Sequence, residues 1–182
     1  MDLLQRFITH WKEHFSHLSS NNCHLFLAVS GGIDSIVLTD LIYKAKFNFT
    51  IAHCNFQLRG EESERDETFV KTLTEKYGNE ILIKKFDTEK FAKENKLSIQ
   101  EAARKLRYEW FSSVISQQPV AGSQLTVNCQ LSTANFLATA HHADDNIETL
   151  LLNFFRGTAI KGLTGIPLLD KERKIIRPLL FA

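Results

Sequence analysis

Short apolar runs that alternate with helix-like segments constrain the fold of this chain more than any other feature of its sequence. Four runs, at 25–29, 49–53, 80–86 and 136–140, have the length and composition of strands. Helix-like stretches separate them. Strands joined through helices form a mostly parallel sheet that is covered on both faces. The sequence therefore predicts a doubly wound α/β fold, with helices on both faces of a mostly parallel sheet.

The helix-like segments have independent local signals. Apolar residues at helical spacing predict a helix at the N-terminus, and further helices are expected at 35–45, 61–77, 98–117 and 144–155. Ser98 and Glu101 form the S-x-x-E pattern of a capping box, in which each side chain bonds a backbone amide of the other residue. The third of these internal helices is therefore expected to begin near Ser98.

Length and composition set the domain organisation and the class of protein. The chain has 182 residues, a formal net charge of +1 and three cysteines with no C-x-x-C pair. It has neither a signal-peptide pattern nor an apolar run of roughly 18 residues, so we expect a cytoplasmic protein with reduced thiols and no membrane partner. Residues 1–182 are expected to form a single domain, truncated at its C-terminus because the sequence stops in an apolar stretch. The uncharged stretch 117–133 is expected to be an inserted loop or hairpin.

A glycine-containing loop stands between the first strand and the first internal helix. Two adjacent glycines let the backbone approach a ligand closely, and the helix behind them directs free amides at the same place. Ser30 and Ser35 add hydroxyl groups, whereas Asp34 beside a phosphate requires a cation such as Mg²⁺. A plain turn with helix-capping side chains is the alternative. Neither the Walker pattern nor G-x-G-x-x-G is present. The loop reads Ser30-Gly31-Gly32-Ile33-Asp34-Ser35.

Two further pairs of side chains are expected at the same edge of the sheet. His141 and Asp145 are four residues apart at a helix start, and Asp145 is placed to share Mg²⁺ with Asp34. Arg104 and Arg107 are three apart on another helix, where both are placed to face one site and neutralise phosphate charge. Three alternatives stay open. The histidines act as caps or core residues, the arginines form a solvated face, or a zinc site is built from His141, His142 and Asp144.

The loop resembles the pyrophosphate-binding loop of the N-type ATP pyrophosphatases. Three more blocks, at 53–63, 103–108 and 138–149, together with Arg156-Gly157, the segment 162–166 and the Arg-Pro-Leu-Leu segment at 177–180, resemble the tRNA(Ile)-lysidine synthetase family. The similarity covers most of residues 24–180. It implies that ATP is cleaved between its α and β phosphates to adenylate the wobble cytidine of an isoleucine tRNA with a CAU anticodon. Free L-lysine then displaces AMP to give lysidine.

The resemblance and the residue chemistry together define the candidate site. ATP-binding candidates are Ser30, Gly31, Gly32, Asp34, Ser35, His53 and Arg104. Catalytic candidates are Asp34, Arg107, His141 and Asp145, and the candidates for Mg²⁺ are Asp34 and Asp145. A homo-oligomer stays open.

Two departures from the family and three rival functions accompany this hypothesis. The 117–133 segment is longer than usual, and family members continue into a further catalytic stretch and tRNA-binding domains. Enzymes that thiolate tRNA share the loop, but they usually carry a C-x-x-C pair, which this chain lacks. Other relatives amidate small metabolites and are not expected to show the block at 53–63. The third rival is a nucleotide-binding module without catalysis.

Overall fold

A computed structural model describes residues 2–19, 23–116, 134–158 and 164–182. Six strands form one sheet in the order β3-β2-β1-β4-β6-β5, and every neighbouring pair is parallel except β5 with β6. The predicted mostly parallel sheet is therefore confirmed. The strands are β1 (Cys23–Ala28), β2 (Phe49–Asn55), β3 (Ile81–Lys85), β4 (Ala134–Ala138), β5 (Leu169–Asp170) and β6 (Ile175–Ile176).

Helices connect most of the strands, and those predicted with explicit bounds begin and end within two residues of the prediction. The Ser98–Glu101 capping box is present: the Ser98 amide donates to the Glu101 carboxylate at 3.0 Å, and the Glu101 amide donates to the Ser98 hydroxyl at 3.3 Å. The helices are α1 (Leu3–His14), α2 (Ile33–Lys44), α3 (Glu61–Tyr77), α4 (Thr88–Asn95), α5 (Ile99–Ser116) and α6 (Ala143–Phe155).

Two apolar cores lie on opposite faces of the sheet. On one face, side chains of α1, α2 and α3 pack on β1 and β2, with Phe7, Leu27 and Ile42 fully buried. On the other face, α5 packs on the sheet through residues that include Phe111. Because successive side chains of β1 point to opposite faces of the sheet, β1 contributes residues to both cores. The doubly wound α/β fold predicted from the sequence is confirmed.

Three elements of the structure are absent from the prediction. Helix α4 has eight residues with mostly polar side chains, a composition that a solvated surface segment shares. Strands β5 and β6 have two residues each, which is too few for a periodic signal. The expected insertion at 117–133 lies outside the described residues. No helix in the described parts of the chain is both long and apolar enough to cross a membrane.

The strand order fixes where a ligand site forms. The chain runs outward from β1 to β2 and β3, and then returns to the other side of β1 to form β4. Leu27 pairs with Ala138, so these two neighbouring strands end close together. A crevice forms where the strand order reverses, outside the carboxyl ends of the strands. The glycine loop after β1 and the start of α6 after β4 meet at this crevice.

Candidate active site

Internal hydrogen bonds hold the glycine loop between β1 and α2. The Ser35 hydroxyl donates to the Gly32 carbonyl at 2.7 Å, and the Gly32 amide donates to the Ser30 hydroxyl at 3.2 Å. Gly31 has a φ of +95°, a conformation that glycine adopts without strain. The loop is thus held in shape by its own atoms, with the N-terminus of α2 directly behind it.

A cavity of about 350 Å³ opens in front of this loop. The glycine loop, helix α5 and the segment around the start of helix α6 line it, together with residues of β1, β2 and β4. The predicted site residues gathered there are Ser30, Gly32, Asp34, Ser35, Arg104, Arg107, His141 and Asp145.

The structure does not bring the other two predicted residues to the cavity wall. The α-carbon of Gly31 faces helix α3, where an added Cβ would lie 3.5 Å from Cβ of Asp66. His53 is 3% exposed, and its Nδ1 donates to the Val29 carbonyl at 2.7 Å. Its neighbours Ala52 and Cys54 line the cavity, and successive side chains of a strand point to opposite faces. His53 therefore supports the strand that leads into the loop.

For His142, the sequence suggested a cap, a core residue or a zinc ligand, and the structure gives it a further contact. It is the N-cap of α6, and its Nε2 lies 3.7 Å from a carboxylate oxygen of Asp34 and 3.7 Å from one of Asp145. Its backbone amide donates to the same Asp145 oxygen at 2.9 Å. The imidazole therefore joins the glycine loop to helix α6. The i, i+3 spacing of His142 and Asp145 was the available sequence signal for this contact.

His141 lines the cavity, and its surroundings lower its pKa. Its Nδ1 lies 2.9 Å from the Thr139 hydroxyl oxygen, which orients the ring. Burial lowers the pKa of His141, and the positive charges of Arg177, Arg107 and Arg104 lower it further, against an opposing effect of Asp145. The neutral imidazole is therefore favoured, which suits a group that exchanges hydrogen bonds with a ligand.

Two arginines of α5 present positive charge to the cavity. The Arg107 guanidinium lies 5.2 Å from the centre of the Phe56 ring, and that of Arg104 lies 5.3 Å from the centre of the Tyr108 ring. Within the described ranges, neither guanidinium has a carboxylate oxygen within 4.0 Å. Aromatic contacts hold both groups in place and leave their charge available for an anion.

Apolar side chains form another part of the cavity wall. Ala28, Ala52, Phe111 and Leu137 contribute to it, together with Cys54. Burial raises the pKa of the Cys54 thiol to about 12, despite an opposing effect of Arg107, so this sulfur is a neutral apolar surface at physiological pH. A polar loop beside an apolar wall suits a ligand with both phosphates and a flat ring, such as a nucleotide.

The two cavity aspartates have the chemistry that Mg²⁺ requires. Asp34 and Asp145 each have an oxygen 3.7 Å from the same His142 nitrogen, so those two oxygens are separated by at most twice that distance. Mg²⁺ is usually held by one or two carboxylates together with ligand phosphates. The described residues contain no group of three or more side chains that would hold a metal without such phosphates. The donor set therefore fits Mg²⁺ bound with a nucleotide, and gives no support to a zinc site.

Comparison with known proteins identifies the family. The sequence profile of the PP-loop domain matches residues 3–182. The chain belongs to the PP-loop family. This PP-loop family uses ATP, which agrees with the predicted nucleotide.

Curated relatives of this PP-loop chain are tRNA(Ile)-lysidine synthases. The protein of Bacteroides thetaiotaomicron is 43% identical over 164 residues, which are 90% of this chain and 35% of the relative. Those of Chlorobaculum tepidum and Thermosipho africanus are 39% and 37% identical, over 92% and 100% of this chain and 47% and 39% of their own lengths. The chain thus spans between a third and a half of the length of these relatives.

Two solved structures share the fold at low sequence identity. An NH3-dependent NAD synthetase from Campylobacter jejuni superposes with a TM-score of 0.56 at 16% identity, and covers 98% of this chain and 67% of its own. An NMN synthetase from Francisella tularensis gives a TM-score of 0.57 at 17% identity, with 98% and 63% covered. These two structures support the fold alone.

Proposed function

We propose that this PP-loop chain is the ATP-binding catalytic domain of a tRNA(Ile)-lysidine synthase. Its substrates are ATP, free L-lysine and an isoleucine tRNA with a CAU anticodon. The reaction adenylates the wobble cytidine and replaces AMP with lysine. The observation that carries the proposal is the convergence, in one cavity, of the glycine loop, two arginines and two aspartates that both contact one imidazole. The names of the curated relatives support the tRNA(Ile) substrate and the lysidine product.

In the first step, the C2 oxygen of the cytosine bonds to the α phosphorus of ATP, and pyrophosphate leaves. The glycine loop and the N-terminus of α2 bind the phosphates through backbone amides. Arg107 and Arg104 stabilise the negative charge that develops on the transferred phosphate and the departing pyrophosphate. Mg²⁺, held by Asp34 and Asp145, would neutralise phosphate charge when bound.

In the second step, the ε-amine of lysine bonds to C2 of the base, and AMP leaves with the C2 oxygen. The attacking amine must lose a proton. His141 faces the cavity as a neutral imidazole oriented by Thr139, so we assign it the role of accepting that proton directly or through a water molecule. His142 positions the two aspartates relative to each other.

The rival functions fit the cavity less well. A thiolating enzyme needs a reactive sulfur, whereas the pKa of Cys54, raised to about 12 by burial, leaves its thiol protonated. A module that only binds nucleotide has no need of an imidazole between two carboxylates at the phosphate loop. Amidation of a small metabolite is disfavoured by the identities of 37–43% to lysidine synthases, against 16–17% to the NAD and NMN synthetases.

We also propose a domain assignment and a location. Residues 1–182 form a single N-terminal domain, because one sheet and its two covering layers include α1 at one end and β6 at the other. The buried Cys23 and the partly buried Cys54 are free thiols, which is consistent with the reducing cytoplasm.

The deciding experiment supplies the complete protein with ATP, Mg²⁺, labelled lysine and a transcript of the CAU-anticodon tRNA. Incorporation of label that requires ATP, and that disappears when the wobble C is replaced by U, is the expected result. Cleavage of ATP to AMP and pyrophosphate without incorporation would overturn the lysine and tRNA assignment. Binding of ATP without any cleavage would instead favour the non-catalytic module.

A further inference from the structure

The ring of Tyr108 lies between two guanidinium groups from different parts of the chain. The central carbon of the Arg104 guanidinium is 5.3 Å from the ring centre, and that of Arg173 is 5.5 Å from it. Arg104 precedes Tyr108 by one turn of α5, whereas Arg173 belongs to the turn between β5 and β6. The short terminal hairpin thus adds a second cation to the aromatic ring.

A third guanidinium lies behind this pair. Arg177 is 6% exposed and donates a hydrogen bond to the Pro167 carbonyl. Its Nε is buried and has no hydrogen-bond partner among the described residues. Burial lowers the pKa of Arg177, and the charges of Arg173 and Arg104 act in the same direction. A buried cation beside two others is costly unless an anion compensates it.

The carboxylates near this cluster do not balance its charge. Asp170 raises the pKa of Arg177, but its carboxylate is already engaged by Arg173. One Asp170 oxygen lies 3.8 Å from the Arg173 guanidinium, and the other accepts a hydrogen bond from the Arg173 amide at 3.0 Å. Glu109 also lines the second cavity, so two carboxylates accompany three guanidinium groups. The excess positive charge favours the binding of an anion next to Tyr108.

The cluster stands at the wall between the ATP cavity and a second cavity of about 430 Å³. Tyr108, Phe111 and Leu137 line both cavities. Arg104 lines only the first, and Arg173 lines only the second. The surface of the second cavity is mainly apolar, with Ile115 and Ile175 in its wall, and Glu109 and Ser112 add polar groups to it. It is therefore a separate space that shares one aromatic wall with the proposed reaction site.

We infer that Arg173 and Tyr108, with Arg177 behind them, bind a phosphodiester group of the RNA substrate while Arg104 serves the ATP phosphates, and that the second cavity takes an unpaired base next to the one that reacts. This inference rests on the proposed function. Guanidinium groups bind phosphate oxygens, the Tyr108 hydroxyl is a further donor, and an unpaired base packs on aromatic and apolar side chains.

ATP is a second source of the same phosphate chemistry, and the geometry favours RNA over it. The glycine loop already offers ATP a phosphate site in the first cavity. Arg173 lines the second cavity and not the first, so its charge acts on a ligand group that lies outside the proposed ATP site. A polynucleotide whose reactive base enters the first cavity has flanking phosphates available for this position.

The test compares the binding of two ligands to the same variants of the complete protein. Arg173→Ala removes an exposed side chain, and Lys171→Ala is the matched control, because it removes one charge from the same turn but from neither cavity wall. The RNA probe is a fluorescent anticodon stem-loop with a CAU anticodon. We expect Arg173→Ala to weaken its binding about tenfold. The slope of log affinity against log salt should fall by about 0.7. Lys171→Ala and the affinity for ATP should change little.

Three outcomes would overturn the inference. Equal losses for Arg173→Ala and Lys171→Ala would show that only general charge matters. Weakened ATP binding with unchanged RNA binding would assign the cluster to ATP. Failure of the unmodified protein to bind the stem-loop would remove the RNA site. Because RNA binding is measured without lysine, a failure of lysidine synthesis alone would refute the proposed function and leave this result standing.

Discussion

The Nε2 atom of His142 lies 3.7 Å from a carboxylate oxygen of Asp34, although the two residues are more than a hundred positions apart in the sequence. The contact joins the first residues of α2 to the first residues of α6. Both helices direct their N-termini at the cavity, so their free amides and positive dipole ends converge on one anion. The aspartates that accompany these helix ends require a cation between themselves and any phosphate.

Asp34→Asn should therefore abolish nucleotide chemistry while leaving the fold intact. The side chain is 61% exposed, so its loss removes little packing, but it removes a carboxylate that we propose as a ligand of Mg²⁺. We expect the rate of ATP–pyrophosphate exchange to fall by at least about a hundredfold. Asp144→Asn is the matched control, since Asp144 is exposed in the first turn of α6 and does not line the cavity. Similar losses in both variants would contradict this role for Asp34.

Arg107→Lys should lower turnover even though it keeps the positive charge. The guanidinium packs on the Phe56 ring, and a lysine ammonium cannot reproduce that planar contact or the bidentate binding of phosphate. A loss of about ten- to a hundredfold in kcat is expected, with circular dichroism unchanged. Lys105→Ala on the same helix, whose ammonium lies over Phe91, should retain full turnover. Full activity of Arg107→Lys would mean that turnover needs only the positive charge at this position and not the guanidinium group.

The titration of His141 should reveal the surrounding positive charge. Burial and the nearby arginines disfavour the imidazolium, so the midpoint measured by NMR should lie below the ordinary value of 6.5. Arg107→Gln removes one of those charges, and the midpoint should therefore move upward. Arg65→Gln, which alters a charge that does not line the cavity, should leave it in place. A downward or absent shift in Arg107→Gln would show that Arg107 does not act on His141.

Glu67 should make folding stability depend on pH in the acidic range. Burial alone would raise its pKa, but hydrogen bonds from Lys71, Asn55 and Lys85 outweigh that effect and hold the pKa at about 2. Because the folded pKa lies below the unfolded value of about 4.3, this contribution is present above pH 4.3 and is lost as the pH falls towards 2.

Glu67→Gln should consequently destabilise the folded protein by about 2–3 kcal/mol at pH 7. Urea unfolding at several pH values measures the difference, which should shrink below pH 4.3 and disappear near pH 2. Glu75→Gln, on the same helix but without a resolved ion pair among the described residues, should show no such trend. If the difference in unfolding free energy stayed constant with pH, Glu67 would stabilise the protein through its packing and not through its charge.

Sequence reasoning succeeded where one signal was local and strong. The glycine loop, the capping box at Ser98 and the apolar strands each have a short-range pattern, and eight of the ten predicted site residues line one cavity. It did not reach features that depend on the pairing of distant segments. His53 required knowledge of which face of β2 meets the cavity, and the contact between His142 and Asp34 required the pairing of β1 with β4. Arg177 gains its importance from burial, which no local pattern reports.

The pairing of Cys23 with Ala134 has a consequence for how the protein is made. The glycine loop belongs to the first fifth of the chain, and its partners at the start of α6 emerge from the ribosome more than a hundred residues later. At a synthesis rate of about 5–20 residues per second, β4 is synthesised several seconds after β1, and during that interval β1 lacks this neighbouring strand. Contacts of such large sequence separation also slow folding itself. The cavity is therefore complete only after β4 has docked, and until then β1 has an unpaired edge on that side.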